Sequence, residues 1–151
     1  MIICIDMQSK FLNVLDSIVS DTLIYNCAKS IEESILNNED VVFLQYGNDE
    51  KTIDDLLKIP KSYYEIVKNT RDGSDCILPL INKDSTIKII GIFFDECVYC
   101  TAFGLTKLIN NRIEILYNST SYFKEYDWTI NKIKYLTKMG VNIHIVNPPQ
   151  M

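Results

Sequence analysis

Short, mostly apolar runs alternate with longer segments of helical periodicity along this chain, and this alternation most constrains its fold. Two such runs are Val-Val-Phe-Leu at 41–44 and the segment 87–92. A strand with no polar face is buried on both sides, as in a parallel sheet covered by helices. Strands that alternate with helices therefore predict one α/β domain over residues 1–151: a doubly wound (Rossmann-like), mostly parallel six-stranded sheet with helices on both faces.

The bounds of the elements are predicted from the period of the apolar residues and from capping and breaking residues. Strands are predicted over residues 2–6, 41–45, 64–68, 86–92, 112–117 and 141–146. Helices are predicted over residues 21–37, 51–57, 75–82, 96–110 and 127–139. In a doubly wound sheet, ligands bind beyond the carboxyl ends of the strands, so residues at those ends are the first candidates for a site.

The composition excludes several classes of function. Hydrophobic residues make up 47% of the chain and charged residues 23%, which is ordinary for a globular protein. A formal net charge of −5 argues against non-specific binding of nucleic acid, which needs a basic surface. No apolar run approaches the roughly 20 residues of a membrane span. A strand predicted from residue 2 and an odd count of five cysteines indicate neither a signal peptide nor a disulfide framework, so we expect a cytoplasmic protein.

Cys97 is the strongest candidate for a reactive side chain. The segment Gly-Ile-Phe-Phe-Asp-Glu-Cys-Val-Tyr-Cys-Thr-Ala at 91–102 joins a predicted strand to a predicted helix and places Cys97 in the first turn of that helix. Unpaired N–H groups and the helix dipole at such a position favour the thiolate. Cys97 is therefore a candidate nucleophile, although a cysteine that opens a helix is more often a small buried residue.

Two charged residues stand at the same edge of the predicted sheet. Asp6 ends the first strand and Lys68 ends the third, so both lie with Cys97 at carboxyl ends of strands. Taken singly, an acid after a strand is often a cap, and a lysine at a strand end is usually solvated. Their coincidence at one edge is what makes them candidates for a common site.

Three motifs in the right order carry a family resemblance. They are Asp-Met-Gln-x-x-Phe at 6–11, the strand-ending Lys68, and Gly-x-x-x-Asp-x-Cys-Val-x-x-Thr-Ala at 91–102. Together they resemble the isochorismatase-like cysteine hydrolases over nearly the whole chain. The resemblance implies that Cys97 attacks an amide-type carbonyl to form a thioester, that Asp6 transfers the proton, and that Lys68 stabilises both the thiolate and the carboxylate.

The resemblance also implies further parts of the site. The backbone N–H groups of Phe93 and Cys97 would hold the oxyanion, and the Ile92–Phe93 peptide would be cis. Weaker expectations for the substrate-binding wall are Phe11, Arg71, Phe94 and Tyr99. We expect a small-molecule substrate and no cofactor, and the family implies a homodimer or a higher homo-oligomer. The nicotinamidase branch has a His-rich metal site after the second strand, whereas residues 46–50 here contain no histidine, which predicts a metal-independent hydrolase of a C–N bond.

Two alternatives remain open. The segment between the second strand and Lys68 is short, and the family's Phe after that lysine is missing, which would suit a catalytically silent protein that binds a small ligand or a protein partner. Cys97 and Cys100 also form a C-x-x-C, the spacing of thiol redox proteins. No Trp, Gly or Pro separates them, and the presence of all three candidate catalytic residues favours the enzyme.

Overall fold

The core of the protein is a six-stranded parallel sheet. The computed structural model describes residues 1–123 and 126–144. The strands lie in the order β3-β2-β1-β4-β5-β6, and every pair of neighbours is parallel. Their bounds are β1 Ile2–Ile5, β2 Val41–Tyr46, β3 Tyr64–Lys68, β4 Ile87–Ile92, β5 Ile113–Ser121 and β6 Asn142–His144. The order reverses between β1 and β4, which is where a doubly wound sheet binds its ligands.

Helices cover both faces of this sheet, as predicted. They are α1 Ser9–Leu12, α2 Ser17–Leu36, α3 Asp54–Leu57, α4 Ser74–Ile77, α5 Tyr99–Leu108 and α6 Tyr126–Lys138. One core cluster joins alternate strand residues to α2 and α3, through side chains that include Leu23, Ile31 and Leu56. The other joins the opposite face to α4, α5 and α6, through Ile77, Leu105 and Leu136 among others. Within the described part of the chain, no helix is long and apolar enough to cross a membrane.

Two elements extend beyond their predicted bounds. Helix α2 begins at Ser17 rather than at residue 21, because the Asp16 side chain caps it by accepting a hydrogen bond from the Ile18 N–H at 2.9 Å. Strand β5 continues to Ser121 rather than ending at residue 117. Its polar end pairs with β4 across an irregularity, with Thr120 opposite Gly91. The end of β5 was not predicted as a strand because its residues are polar, and they are polar because this part of the strand is only half-buried.

The segment around Cys97 differs from the continuous helix predicted over residues 96–110. A turn over Phe94–Val98, which we call the Cys97 turn, precedes α5, and Glu96 breaks its helical geometry with φ −124° and ψ −106°. Pro79 has a similar effect earlier, where the predicted helix 75–82 is α4 followed by a 3₁₀ turn at Leu78–Leu80. The last strand was predicted over residues 141–146, of which 145 and 146 lie outside the described residues.

Gly91 is required where β1 and β4 come together. Its φ is +111°, and a Cβ atom on it would lie 2.1 Å from the backbone oxygen of Ile5. No side chain fits that space, and the backbone conformation itself is one that favours glycine. This close approach lies at the switch point, immediately before the residues of the candidate site.

Candidate active site

The three candidate catalytic residues meet at the carboxyl edge of the sheet. Asp6 directly follows β1, Lys68 is the last residue of β3, and Cys97 lies in the turn after β4. The backbone of Asp6 is in the left-handed region, with φ +54°, where non-glycine residues are uncommon. Its N–H donates to the Leu44 carbonyl at 2.9 Å, which ties this conformation to β2. Such backbone outliers concentrate at functional sites.

Asp6 and Lys68 form a buried ion pair. Lys68 Nζ lies 3.0 Å from Asp6 Oδ2, and the two side chains are 3% and 0% exposed for Asp6 and Lys68 respectively. The same ammonium group donates to the Thr70 carbonyl at 3.2 Å and lies 4.6 Å from the centre of the Tyr46 ring. A charge buried without a partner is strongly unfavourable, so each of these two residues requires the other.

The pKa of the Cys97 thiol beside this pair is raised. Burial raises its pKa from 9.0 to about 12, the negative charge of Asp6 adds to the rise, and Lys68 opposes it. Burial also raises the pKa of the Asp6 carboxyl, which Lys68 lowers in part. These shifts favour the thiol form of Cys97 at rest, next to the Asp6 carboxyl group.

This protonation state corrects the expectation of a thiolate. Helix α5 begins at Tyr99, two residues after Cys97, so Cys97 does not lie in its first turn. A helix dipole contributes about 0.3–1 kcal/mol at exposed sites, whereas one pKa unit corresponds to about 1.4 kcal/mol. Desolvation and the Asp6 charge together outweigh any such contribution.

The Cys97 turn has the shape that the resemblance implied. The Ile92–Phe93 peptide is cis, as predicted. The Phe93 carbonyl then accepts hydrogen bonds from the N–H groups of Glu96 at 3.0 Å and Val98 at 3.2 Å, which closes the turn. Phe93 and Cys97 both line the adjacent cavity. Their role as oxyanion-binding donors stays a prediction.

A cavity of about 380 Å³ opens over Cys97. Its walls are mainly aromatic: the Phe93 ring lies 6.3 Å from the Phe11 ring and 5.1 Å from the Phe123 ring. Phe11 in turn packs edge-on against Tyr46 at 6.2 Å. The remaining lining residues are Val14, Arg71 and Glu96. The site is thus a largely apolar cavity with a nucleophile and the Arg71–Glu96 pair in its wall, and with the Asp6–Lys68 pair beside it.

The predicted wall residues divide into two groups. Phe11 and Arg71 line the cavity, whereas Phe94 and Tyr99 do not and are corrected here. Phe94 is fully buried in the core, 5.4 Å from the Tyr117 ring, and Tyr99 stacks on Phe103 at 6.2 Å beside a different groove. Phe94 belongs to the irregular Cys97 turn, in which helical spacing does not describe the side-chain directions, whereas Tyr99 opens α5 and packs on Phe103.

Four lining residues were missed by the sequence analysis: Val14, Tyr46, Glu96 and Phe123. Tyr46 carried a usable signal, because it ends β2 at the same edge of the sheet as Asp6 and Lys68. Phe123 lies just past β5, whose polar end was not predicted as a strand. A regular helix was predicted at Glu96, and that geometry does not direct its side chain to the cavity.

Residues 46–50 do not fit a zinc site. The Asp49 carboxylate accepts from Lys10 Nζ at 2.9 Å, and Glu50 Oε1 accepts from the Lys10 backbone N–H at 2.9 Å. Among the described residues there is no group of three or more His, Cys, Asp or Glu side chains placed to hold a metal ion. Zinc in proteins takes three or four such ligands, so this loop instead serves to hold Lys10 against the site.

The C-x-x-C cysteines line different cavities. Cys97 borders the aromatic chamber, while Cys100 lies in α5 and borders the groove with Asp72, Ser74 and Phe103. Burial raises the pKa of the Cys100 thiol as well. A redox dithiol uses a cysteine of low pKa, whereas burial raises the pKa of both thiols here.

Comparisons with known proteins agree with the fold. No family model and no curated protein sequence matches this chain. Among solved structures, N-carbamoylsarcosine amidase from Thermoplasma acidophilum is similar with a TM-score of 0.77 and 20% identity, over 99% of this chain and 98% of that chain. Pyrazinamidase of Pyrococcus horikoshii, in complex with zinc, has a TM-score of 0.78 and 14% identity, over 96% and 98%. MAR1 ribonuclease from Caenorhabditis elegans has a TM-score of 0.81 and 13% identity, over 93% and 73%. The chain therefore has the α/β fold of these proteins, the isochorismatase-like fold that its motifs predicted.

Proposed function

We propose that this protein is a metal-independent cysteine hydrolase that cleaves a C–N bond of the amide type in a small molecule. The observation that carries the proposal is the buried Asp6–Lys68 ion pair, at 3.0 Å, beside a cysteine in the wall of a cavity. A buried ion pair is weak evidence of stability, because apolar residues of similar volume often serve the fold as well or better. A chemical use for the charges accounts for their burial next to a thiol.

The chemistry follows from the protonation states. As the Cys97 sulfur forms a bond to the substrate carbonyl carbon, its proton passes to Asp6, and the oxyanion is held by the N–H groups of Phe93 and Cys97. Asp6 then gives that proton to the leaving nitrogen as the C–N bond breaks, which leaves a thioester. Asp6 next takes a proton from water as the water attacks the thioester, and it gives that proton to the Cys97 sulfur as the C–S bond breaks, which releases the carboxylic acid and restores the thiol. Lys68 holds the Asp6 carboxylate and offsets negative charge at sulfur.

The size and the aromatic walls of the cavity limit the range of possible substrates. A volume of about 380 Å³ suits a small molecule, and walls made by Phe11, Tyr46, Phe93 and Phe123 favour an apolar or planar acyl group. The solved structures of similar fold include amidases, which supports hydrolysis of a C–N bond without identifying the substrate.

A ligand-binding protein without catalysis is the second candidate. The raised pKa of Cys97, about 12, favours it, because the thiol attacks only if Asp6 takes its proton. The two functions differ in one observable, which is a covalent acyl adduct on Cys97 in the presence of a bound amide.

The test is a screen of small primary amides, aliphatic and aromatic, with ammonia release as the readout and acid-quenched intact mass spectrometry to detect a thioester. We expect turnover that Cys97→Ala abolishes and Cys76→Ala leaves unchanged, since Cys76 is an exposed cysteine outside the cavity. Amides that bind without ammonia release or an adduct would contradict the proposal and support the binding protein.

A further inference from the structure

Among the described residues, the cations around the cavity are each paired with a carboxylate. Lys68 is paired with Asp6 at 3.0 Å, and Lys10 with Asp49 at 2.9 Å. Arg71 Nη1 lies 3.1 Å from Glu96 Oε2. Among the described residues that line the cavity, Arg71 is the only cation and Glu96 the only anion. A molecule that enters therefore meets apolar rings and one neutralised pair of charges.

The Arg71–Glu96 pair joins the two segments that carry the reactive groups. Arg71 lies in the loop after Lys68. Two hydrogen bonds hold that loop: Lys68 Nζ donates to the Thr70 carbonyl, and the Thr101 hydroxyl donates to the Arg71 carbonyl at 3.4 Å. Glu96 immediately precedes Cys97, and its backbone N–H donates a hydrogen bond to the Phe93 carbonyl. The position of the pair beside the nucleophile is therefore fixed from both sides by backbone contacts.

We propose that Glu96 is a specificity-determining residue, which neutralises Arg71 and so makes the site select uncharged molecules over anions. A guanidinium group without a partner, next to an apolar chamber, is a strong binding group for a carboxylate, because it offers two parallel N–H donors. With Glu96 in place, its carboxylate lies 3.1 Å from Arg71 Nη1 and offsets the charge of the guanidinium group, and an incoming anion also meets the negative charges of Glu96 and Asp6. It would lose its hydration without gaining a partner.

The inference rests on the proposed function only in that the selected molecules are substrates. The side chains of Arg71 and Glu96 are 69% and 24% exposed, so solvent screens the pair in part, and its effect is best measured as a ratio of two rates. Iodoacetamide and iodoacetate form such a pair of probes, since they share size and leaving group and differ in charge. In both reactions the Cys97 sulfur bonds to the CH₂ carbon, iodide leaves with the C–I electrons, and the thiol proton is lost to solvent.

The experiment measures the rate of Cys97 alkylation by each reagent, using peptide mass spectrometry of the full chain. The exposed Cys76 in the same molecule gives the reference ratio. We expect the iodoacetamide preference of Cys97 to exceed that of Cys76 in the wild type. In Glu96→Gln it should fall by about tenfold, as expected for one partly screened charge a few ångströms away. In Arg71→Gln it should rise, because Glu96 is then unopposed.

Asp55→Asn is the matched control, because Asp55 pairs with Lys58 at 3.6 Å on the surface, outside the cavity, and its loss changes the net charge equally. A Glu96→Gln ratio that moves no more than that of Asp55→Asn would overturn the inference. If the Glu96→Gln variant does not fold, the Arg71→Gln variant is the test, because the Arg71 side chain is largely exposed. An unchanged iodoacetamide preference of Cys97 in Arg71→Gln would also overturn the inference. Neither result depends on turnover, so the absence of amide hydrolysis would count against the proposed function and not against this inference.

Discussion

Lys68 engages only one of the two carboxylate oxygens of Asp6. Its Nζ donates to Oδ2 at 3.0 Å, while Oδ1 is buried with no hydrogen-bond partner in the described structure. An unsatisfied buried acceptor is unfavourable, and such groups are rare in folded proteins. Here the free oxygen belongs to the residue whose charge raises the pKa of the Cys97 thiol. The arrangement leaves Asp6 Oδ1 available to take a proton.

The ion pair predicts unequal effects of single and double substitutions on stability. Lys68→Met leaves the Asp6 charge buried alone and should lower the free energy of unfolding by about 3–5 kcal/mol. The double variant Asp6→Asn/Lys68→Met removes both charges and should recover most of that loss. Urea denaturation of the wild type and of the single and double variants closes the cycle. Losses in the two single variants that simply add in the double variant would show that the charges are not coupled.

The fall of kcat/KM for amide hydrolysis at acid pH should reflect the protonation of Asp6. Burial raises the pKa of this carboxyl above 3.8, and only the carboxylate can accept the Cys97 proton. We therefore expect kcat/KM to fall as the pH drops through a value above 3.8. By the same shift, the fold gains from protonated Asp6 at low pH and loses that contribution as the pH rises through the folded pKa.

Lys68→Gln tests this assignment, because removal of the cation raises the pKa of Asp6 further and should move the acid limb to higher pH. The measurement is the pH profile of kcat/KM for whichever amide the screen identifies. A limb that stays in place in Lys68→Gln would assign it to another group.

Substitutions at Gly91 and Gly140 distinguish the energetic cost of a strained backbone conformation from the cost of a steric clash. Gly140 has φ +90°, and a Cβ atom added there would have no other atom within 4 Å, so Gly140→Ala should cost only the backbone penalty of about 1–2 kcal/mol. Gly91→Ala adds the collision with the Ile5 backbone at 2.1 Å and should cost clearly more, beyond about 3 kcal/mol. Thermal or urea unfolding compares them. Equal losses would mean that β1 and β4 do not approach each other so closely.

Two phenylalanines near Cys97 should respond differently to the same substitution. Phe94 is fully buried in the core, so Phe94→Leu should reduce stability by about 1–2 kcal/mol through imperfect repacking. Phe11 lines the cavity, so Phe11→Leu should raise KM for the amide and leave the unfolding midpoint nearly unchanged. A larger KM change in Phe94→Leu than in Phe11→Leu would contradict the assignment of the cavity wall.

The sheet and the positions of the three candidate residues were predictable from the sequence for a physical reason. Strands buried on both faces have a composition that few other elements share, and in a parallel sheet their ends must meet at one edge. Asp6, Lys68 and Cys97 follow from that rule before any resemblance is considered. The motif at 91–102 added the cis peptide, which no periodicity predicts.

The details around Cys97 were not predictable in the same way. Phe94 lies in the irregular turn before α5 and packs into the core, while Tyr99 opens α5 and stacks on Phe103, so neither residue lies in the cavity wall where it was expected. The upward pKa shift of Cys97 runs against the expectation of a thiolate, because it depends on desolvation and on the charge of Asp6, which are properties of the folded molecule. Phe123 was missed because β5 ends in polar residues that composition assigns to a loop.

The most direct test of the account is the rate of Cys97 alkylation by iodoacetamide as a function of pH, with Cys76 as the internal reference. Near neutral pH, wild-type Cys97 should react more slowly than Cys76, because its pKa is raised to about 12. Asp6→Asn removes a charge that raises this pKa and should accelerate alkylation by at least about tenfold, one pKa unit, while it abolishes amide hydrolysis. Lys68→Met should slow alkylation further. A Cys97 that reacts like Cys76 and is indifferent to both substitutions would contradict the proposed assembly of nucleophile, base and cation.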